Sequence, residues 1–405
     1  MNSVIFVDKI IDPETDSIIK DHFVVIEKNL IAKISPNTTY DDVTYSTYKK
    51  IITTNSTLLP GFIEMHSHIH VSSEKNAYYD SINDTDETLI IRATKAAREA
   101  LLSGVTTMRD LGSKNNVIFP LKKAIDSKII VGPNLIPSGS PITTTGGHCN
   151  MFGIESDTKD EVVESIRFLS KSGAQWIKII ATGGNFTPNT NIHEPQYSEE
   201  IIQIAVEEAH SLGLKIATHC HATKGIINCT NAKVDNLIHC SWIASENSAE
   251  FYDYQPEIAD QIANEGIYVD PTLALSYLSQ LRGTPLKRDP SKRYEILRNM
   301  WDKGIKFVSG MDSGMVNAHF NDFAYIPEVM VKKMGISCLE AIKTSTFTSA
   351  ECLGLQHQIG SVSEGKQADL VIVQGDPSTN IEDMHNVHTI FKSGEIIKLD
   401  NEILV

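Results

Sequence analysis

Residues 211–220 read SLGLKIATHC, and the same order of residues recurs in LLSGVTTMRD (101–110), KSGAQWIKII (171–180), NEGIYVDPT (264–272) and DKGIKFVSGMD (302–312). In each stretch a glycine separates a helix-like segment from a short apolar run that ends near a polar residue. These glycines (Gly104, Gly173, Gly213, Gly266 and Gly304) suit the left-handed position at which helices commonly end. Runs that are apolar throughout predict strands buried on both faces, and the helices between them imply parallel pairing.

The repeated pattern predicts eight strands, near residues 61–66, 106–111, 134–138, 176–180, 215–220, 236–240, 267–271 and 306–311. Helices are predicted between them; one begins with Thr158 and Glu161 at capping-box spacing. Eight such units predict an α/β fold of the (β/α)8 TIM barrel type over residues 59–354. A doubly wound sheet is the main alternative, but it requires a glycine-rich phosphate loop, and neither GxGxxG nor GxxxxGK[ST] occurs.

The two ends of the chain have a different pattern. Stretches such as HFVVIEKNLIAKIS (22–35) and HTIFKSGEIIKLD (388–400) alternate apolar and polar residues between turn signals, which is typical of antiparallel strands. EKNL and KSGE are suited to tight reversals between such strands. Neither end is long enough for a stable sheet alone, so residues 1–58 and 355–405 are expected to form one small β-sandwich domain beside the barrel.

Composition narrows the class of protein. The formal net charge of −15 over 405 residues argues against a nucleic-acid partner, because neutralising phosphates requires clustered lysine and arginine. No apolar run approaches the length of about 18 residues that spans a bilayer, and the first residues do not resemble a secretory signal. The six cysteines form no CxxC pair. We therefore expect free thiols and a cytoplasmic protein without membrane partners.

Several potential metal ligands stand at the predicted strand ends, where barrels of this kind carry their active sites. His66 and His68 are two residues apart after the first strand and therefore share one face of it. Further polar residues end later strands: His219 and His221, His239, and Asp312. Imidazoles grouped with a carboxylate are donors that zinc favours. Lys178, inside the apolar run WIKII, is either a lysine whose amine reaches outward to solvent or one whose amine is modified into a ligand.

This combination resembles the binuclear pattern of the amidohydrolase superfamily. The motifs that carry the resemblance are PGFIEMHSH (60–68), TTMRDLG (106–112), TGGHCN (145–150), IKIIATGG (177–184), ATHCHA (217–222), GMDSG (310–314) and GSVSEGKQADLVIV (360–373), so it spans essentially the whole chain. Within the superfamily, the chain is most similar to the branch of imidazolonepropionase-like proteins, metal-dependent Xaa-Pro and Xaa-Arg/Lys dipeptidases and ochratoxin-hydrolysing amidases.

The resemblance implies two divalent ions, expected to be Zn²⁺, and a lysine carboxylated by CO₂. It implies that His66 and His68 bind one ion, that carboxylated Lys178 bridges both, and that His219 and His239 bind the second. Asp312 would contact the first ion and act as a catalytic proton acceptor from water. Imidazolonepropionase is similar in the histidines and the aspartate but uses one metal ion without a modified lysine.

Other polar residues are candidates for substrate contacts. His148 and His221 are expected to contact substrate or a developing oxyanion, with His221 also assigned a catalytic role. Arg109 is a candidate for binding a carboxylate, with a structural pair to Asp110 as the alternative, and His319 is a candidate in a substrate loop. The loop after the first strand is acidic, whereas the loop after the seventh is basic (Arg282, Lys287, Arg288, Lys292, Arg293), so the charge of the substrate stays open.

The predicted function is hydrolysis of a C–N amide bond in a dipeptide or N-acyl amino acid by metal-activated hydroxide. The alternatives are a cyclic-amide hydrolase of the imidazolonepropionase kind and a non-catalytic oligomeric relative. Such relatives typically lose metal ligands, whereas all six candidates are present here. The resemblance also implies a homo-oligomer acting on a small-molecule substrate.

Overall fold

The computed structural model describes residues 2–404, and Met1 and Val405 lie outside it. The first part of the chain forms short strands: β1 (Ser3–Phe6), β2 (Lys9–Asp12), β3 (Ser17–Lys20), β4 (His22–Glu27), β5 (Leu30–Pro36), β6 (Lys49–Ile52) and β7 (Ser56–Pro60). The central part carries β8 (Phe62–Ser67), β9 (Val105–Asp110), β10 (Asn134–Pro137), β11 (Ile142–Thr143), β12 (Ile154–Glu155), β13 (Trp176–Ile180), β14 (Lys215–Ala222), β15 (Asn236–Ile243) and β16 (Tyr268–Asp270). The last strands are β17 (Leu370–Gln374), β18 (Val387–Lys392), β19 (Glu395–Leu399) and β20 (Glu402–Ile403).

Helices alternate with the central strands and continue after them: α1 (Ala77–Asn83), α2 (Asp86–Leu102), α3 (Ile118–Asp126), α4 (Lys159–Ser172), α5 (Glu199–Ser211), α6 (Thr223–Asn231), α7 (Pro256–Asn264), α8 (Ala274–Leu281), α9 (Ser291–Asp302), α10 (Tyr325–Met334), α11 (Cys338–Thr344) and α12 (Phe347–Leu353). Thr158 and Glu161 form the predicted capping box of α4, and Gly173 ends that helix with a φ of 106°. None of the helices within residues 2–404 is long and apolar enough to cross a membrane.

The central strands pair in parallel, as the sequence predicts. They form one sheet in the order β10-β9-β8 and another in the order β12-β11-β13-β14-β15-β16. A backbone hydrogen bond joins the two sheets, since Gln175, just before β13, donates its N–H to the carbonyl of Pro137 in β10 (2.8 Å). The segment after α9 lies between β16 and β8, with parallel bridges at Phe307 to Val269 and at Ser313 to Ser67.

The predicted eighth strand, at residues 306–311, forms isolated bridges rather than a regular ladder. Some of its backbone groups bond the flanking strands, as when Val308 donates its N–H to the carbonyl of Val269 (2.9 Å). Two others bond side chains instead: the N–H of Met311 donates to Glu64 Oε1 (2.9 Å), and that of Ser309 to the hydroxyl of Ser349 (3.4 Å). Its Asp312 then has a φ of 62°, in the left-handed region. The segment therefore follows the direction of the other strands without their regular hydrogen bonding.

Both faces of the central strands are buried. Side chains on one face form a cluster to which most central strands contribute: Ile63, Met65, Leu111, Ile136, Trp176, Ala217, Ile238 and Val308. Neighbouring residues such as Ile177, Ile179 and Leu237 belong to the larger cluster that includes the helices. This alternation explains the uninterrupted apolar runs in the sequence, since residues that point in opposite directions both meet apolar partners.

The two ends of the chain pair with each other. β17 is antiparallel to β7, and both belong to a seven-stranded sheet in the order β20-β19-β18-β17-β7-β2-β3. A second sheet, β5-β4-β1-β6, shares an apolar cluster with it that includes Val24, Leu58 and Ile372. The predicted reversals occur between β4 and β5 and between β18 and β19.

Candidate metal centre

A cavity of about 700 Å³ opens beside the ends of the parallel strands. Its lining includes the six predicted metal ligands and two predicted substrate contacts: His66, His68, Lys178, His219, His239 and Asp312, with His148 and His221. Strand alternation explains which side chains reach it. His219 and His221 line the cavity, whereas Cys220 between them packs in the large apolar cluster, as does Cys240 beside His239. Cys149 does line the cavity, but burial raises the pKa of its thiol.

One group of potential ligands consists of His66, His239 and Asp312, whose donor atoms all lie within 4.8 Å of one another. Asp312 Oδ1 is 3.4 Å from Nε2 of His66 and 3.4 Å from Nε2 of His68. Despite this proximity, the oxygen is buried without a well-aligned hydrogen-bond donor among residues 2–404. A bound cation would satisfy this carboxylate.

A second group consists of His219, His221 and His239, again within 4.8 Å. The ring centroids of His219 and His239 are 4.7 Å apart, and those of His221 and His239 are 4.4 Å apart. His239 thus belongs to both groups. The arrangement differs from the predicted ligand sets in one respect, since His221, expected to contact substrate, stands as close to His239 as His219 does.

Four of these histidines have one ring nitrogen held by a neighbouring oxygen: His68 Nδ1 by the carbonyl of Gly112 (3.1 Å), His239 Nδ1 by the hydroxyl of Thr272 (2.8 Å), His221 Nδ1 by the hydroxyl of Ser241 (2.8 Å) and His219 Nε2 by the carbonyl of Gly183 (3.2 Å). Such contacts fix the ring orientation and leave the opposite nitrogen available to a metal ion. Burial also lowers the pKa of His66, His219, His221 and His239 well below the usual value, which favours the neutral imidazole that metal binding requires.

Lys178 is the buried cation of the site. It is 1% exposed, and its Nζ lies 3.5 Å from Nε2 of His66. Lys178 forms no ion pair with a carboxylate of residues 2–404. Burial lowers the pKa of its amine to about 8. Of the two alternatives that the sequence left for Lys178, the amine that reaches outward to solvent is wrong, because the side chain lines the cavity.

Asp312 is the second charged group at the centre. Burial alone would raise the pKa of its carboxyl, but His66, His68 and Lys178 hold that pKa below its usual range. Asp312 and His239 have φ angles of 62° and 65°, a region that non-glycine residues rarely adopt. Strained backbone of this kind is concentrated at functional sites, where the surrounding structure maintains it.

Two buried acids near the site were not predicted. Asp270, the last residue of β16, has Oδ2 3.2 Å from Nδ1 of His66, and its Oδ1 accepts from the N–H of Thr272 (3.1 Å). Burial raises the pKa of Asp270 to about 7. Glu64 accepts from the N–H groups of His66 and Met311, both at 2.9 Å, and thereby joins β8 to the segment that carries Asp312. Asp270 could have been found from the sequence, because it lies near the end of a predicted strand, as His239 does.

His148 is brought to the cavity as predicted. Its ring centroid is 4.6 Å from that of His219, and its Nδ1 is buried without a hydrogen-bond partner among residues 2–404. Burial lowers the pKa of His148 to about 3, so its imidazole is neutral. A Cβ added at Gly184 would lie 2.4 Å from His148 Nε2, so this glycine makes room for the ring.

Two candidates are not brought to the cavity. Arg109 is fully buried: its Nε donates to the carbonyl of Met65 (2.8 Å), Nη2 donates to Asn236 Oδ1 (2.5 Å), and the guanidinium lies 4.2 Å from the ring centre of Trp176. These contacts join β9 to β8 in its own sheet and to β13 and β15 in the other. The expected pair with Asp110 does not form. His319 is also absent from the cavity lining, and its N–H bonds Asp322 (2.8 Å).

Comparison with known proteins gives consistent results. A model of the amidohydrolase family matches residues 57–397. The chain is 25% identical over 376 residues to ochratoxinase from Aspergillus niger, covering 84% of this chain and 75% of the relative. It is 21% identical over 409 residues to imidazolonepropionase from Thermoplasma volcanium, covering 94% and 91%. A crystal structure of a Xaa-Pro dipeptidase with bound methionine aligns with a TM-score of 0.86 and 26% identity, covering 98% of this chain and 100% of that one.

Proposed function

The chain belongs to the amidohydrolase family, and we propose that it is a metal-dependent hydrolase that cleaves the amide bond of a dipeptide or N-acyl amino acid. The observation that carries this proposal is the convergence of six predicted imidazoles, Lys178 and Asp312 on a single cavity. Similarity to an Xaa-Pro dipeptidase and to ochratoxinase supports an amide substrate of small size.

The proposed architecture is a single (β/α)8 barrel over residues 59–354, with residues 1–58 and 355–405 as a small β-sandwich. The parallel bridges of the segment at Phe307 and Ser313, together with the shared interior cluster, support closure of the two central sheets into one ring. A barrel explains why the ligands meet, because the carboxyl ends of all its strands converge on one face.

The donor set fits divalent metal ions, and the proposed ion is zinc. Imidazole nitrogens and a carboxylate are the ligands that zinc prefers, and the buried oxygen of Asp312 has no well-aligned hydrogen-bond donor among residues 2–404. His66, His68 and Asp312 are proposed to hold one ion, and His219 and His239 a second. His221 lies close to both of these, but its one nitrogen not held by Ser241 is proposed to contact substrate.

Lys178 is proposed to become a bridging ligand by carboxylation. Its neutral amine attacks CO₂, a C–N bond forms, and one proton is released, which leaves a carbamate with two oxygen donors. Burial favours this reaction, since it lowers the pKa of the amine to about 8 and thereby raises the fraction without a proton. Burial also disfavours the unmodified ammonium, which has no carboxylate ion pair among residues 2–404.

Bound divalent ions would supply two effects, a lowered pKa of water and polarisation of the substrate carbonyl. Asp312 is proposed to accept the proton of the attacking water and to deliver it to the nitrogen that leaves. Its low pKa keeps it ionised and ready to accept. His148 and His221 are proposed to orient the carbonyl oxygen and to stabilise its developing charge, as hydrogen-bond donors in a site of low polarity.

A cyclic-amide hydrolase of the imidazolonepropionase kind is the second candidate, and the likeness to the Thermoplasma volcanium enzyme over 94% of the chain favours it. The two candidates differ in their requirement for Lys178. A single-ion enzyme of the second kind would tolerate Lys178→Met, whereas a binuclear enzyme would lose one ion and most turnover.

The test is a screen of dipeptides, N-acyl amino acids and cyclic amides with zinc-loaded enzyme, followed by kinetics of Asp312→Asn. The variant is expected to lose turnover by about 100-fold or more, in keeping with loss of a general acid–base. Asp322→Asn is the matched control, since Asp322 is also buried but pairs with Arg282 outside the lining. Near-normal turnover in Asp312→Asn contradicts the proposed role, and absence of amide hydrolysis in the whole screen contradicts the proposed function.

A further inference from the structure

One wall of the cavity is strongly cationic. The segment between α8 and α9, with the first turn of α9, contributes Lys287, Arg288 and Arg293 to the lining. The one acid that this segment adds is Asp289, and its Oδ1 accepts from the N–H (3.1 Å) and hydroxyl (2.8 Å) of Ser291 at the start of α9. The carboxylate is therefore engaged locally, and the three cations remain without a carboxylate partner among residues 2–404.

Arg293 is the most enclosed of the three. Its Nη1 donates to the hydroxyl of Ser241, and its Nη2 donates to the carbonyls of His239 (3.1 Å) and Pro271. All three acceptors are neutral. These bonds fix the position of the guanidinium and leave two of its five N–H groups free. A partly buried cation held by neutral acceptors is poorly compensated, and an anionic ligand would compensate it.

The acidic loop after β8 does not balance this charge. Its carboxylates are absent from the cavity lining, and three of them are engaged elsewhere: Asp80 accepts from Ser72, Asp84 pairs with Arg92, and Asp86 accepts from Asn115. The sequence has an acidic loop after the first predicted strand and a basic loop after the seventh. Of these two, the basic loop is the one that lines the cavity.

The position of Arg293 defines where an anion would lie. Arg293 bonds the carbonyl of His239 directly, and it bonds the hydroxyl of Ser241, which also holds Nδ1 of His221. The guanidinium therefore lies beside two of the histidines of the candidate metal centre. An anion bound there would be adjacent to the reacting carbonyl. The α-carboxylate of an amino acid whose own nitrogen forms the scissile amide is separated from that nitrogen by the α-carbon alone, so it is the substrate anion held nearest to the reacting carbonyl.

We propose that Arg293 is the specificity-determining residue that binds the free α-carboxylate of the substrate, so that the substrates are N-acyl amino acids and dipeptides with an unblocked C-terminus. This inference rests on the proposed function for the identity of the scissile bond. The remaining wall, which includes Ile192, Phe251 and Leu286, would accommodate an apolar portion of the substrate.

The test is equilibrium binding of two matched probes to the zinc-loaded protein by calorimetry. N-methylsulfonyl-L-phenylalanine carries a free carboxylate and a sulfonamide that resists hydrolysis, and its primary carboxamide lacks only the charge. The wild-type protein is expected to bind the carboxylate about 10- to 100-fold more tightly, the range for one charge-assisted hydrogen-bond pair. In Arg293→Gln the two probes are expected to bind equally.

Arg293→Lys, which keeps the charge but not the planar fork, is expected to retain part of the preference. Arg288→Gln is the matched control at the same wall. Arg288 is exposed and lies on the ring of Phe251, so this variant should retain most of the preference. Zinc content of each variant reports whether His239 has been disturbed.

Equal affinity of the wild-type protein for the two probes would overturn the inference. A uniform loss of affinity for both probes in Arg293→Gln would also overturn it, because that is the result of a purely structural role. Binding does not require turnover. A wild-type protein that hydrolyses no amide but still prefers the carboxylate probe through Arg293 would therefore contradict the proposed function. The same result would support the anion site at Arg293.

Discussion

Asp270→Asn is the substitution that most sharply tests how the centre is organised. Asp270 Oδ2 lies 3.2 Å from Nδ1 of His66, and His66 Nε2 faces Asp312 and Lys178. A carboxylate beside Nδ1 favours the tautomer with its proton there, which leaves the Nε2 lone pair for a metal ion. Asparagine keeps the shape and the bond from the N–H of Thr272. Its amide group, however, presents N–H to Nδ1 and favours the opposite tautomer.

The magnitude follows from the one contact that is lost. Asp270 Oδ2 and His66 Nδ1 face each other without the alignment of a full hydrogen bond, and loss of a partner behind a metal-ligating histidine typically weakens metal binding by about 10- to 100-fold. Loss of the Asp270–His66 contact should therefore weaken zinc binding by about 10- to 100-fold. The fold should persist, because Asp270 is replaced by a residue of equal size.

The assay is competition for zinc against a chelating dye, with thermal unfolding of the metal-free protein as a control. Asp369→Asn is the matched variant. Asp369 is also a buried carboxylate, but it accepts from Ser393 and Lys392, far along the chain from the candidate ligands. It should lower stability without weakening zinc binding. Zinc affinity within about threefold of wild type in Asp270→Asn would refute the proposed orientation of His66.

Two further substitutions test other parts of the account. Gly184→Ala would place a Cβ 2.4 Å from His148 Nε2, so His148 must move; turnover should fall about 10-fold or more while zinc content stays at the wild-type level, and unchanged kinetics would show that His148 has no role. Glu328→Gln should reduce the free energy of unfolding by about 1–3 kcal/mol at pH 7. Burial raises the pKa of Glu328, but hydrogen bonds from Lys332, Tyr277 and His385 hold it below 4.5, so the stabilisation is present above that pH and is lost as the pH falls further. Denaturant titrations should show the difference between wild type and variant shrinking in acid, and a difference independent of pH would contradict the assignment.

The fold could be predicted largely because local and tertiary requirements coincide along the chain. The left-handed glycines that end the helices have φ angles from 67° to 106°, as at Gly266 and Gly173. The apolar runs that follow them are buried on both faces. The segment at 306–311 departs from the prediction because Glu64 takes the backbone N–H of Met311, a contact between distant residues that no local pattern reveals.

The candidate site could be predicted where side chains follow strand alternation. His219 and His221 reach the cavity and Cys220 does not, as the two-residue period requires. Arg109 and Asp270 show the limit of such reasoning. Arg109 is a candidate for substrate binding because it lies near the end of a predicted strand, but its long side chain bonds Met65 and Asn236 in the interior. Asp270 lies near the end of a predicted strand, as His239 does, yet a single carboxylate followed by proline carries no distinguishing motif.

Metal content under conditions that allow lysine carboxylation decides whether the centre holds two ions bridged by Lys178. The protein is produced with added zinc, dialysed in bicarbonate buffer and analysed for metal, with Lys178→Met alongside. We expect about two zinc ions per wild-type chain and at most about one in the variant, together with a carbamate carbon signal after labelling with ¹³C-bicarbonate in the wild type alone. One ion in both proteins would contradict the binuclear centre, and absence of bound metal from the wild type would contradict the account as a whole.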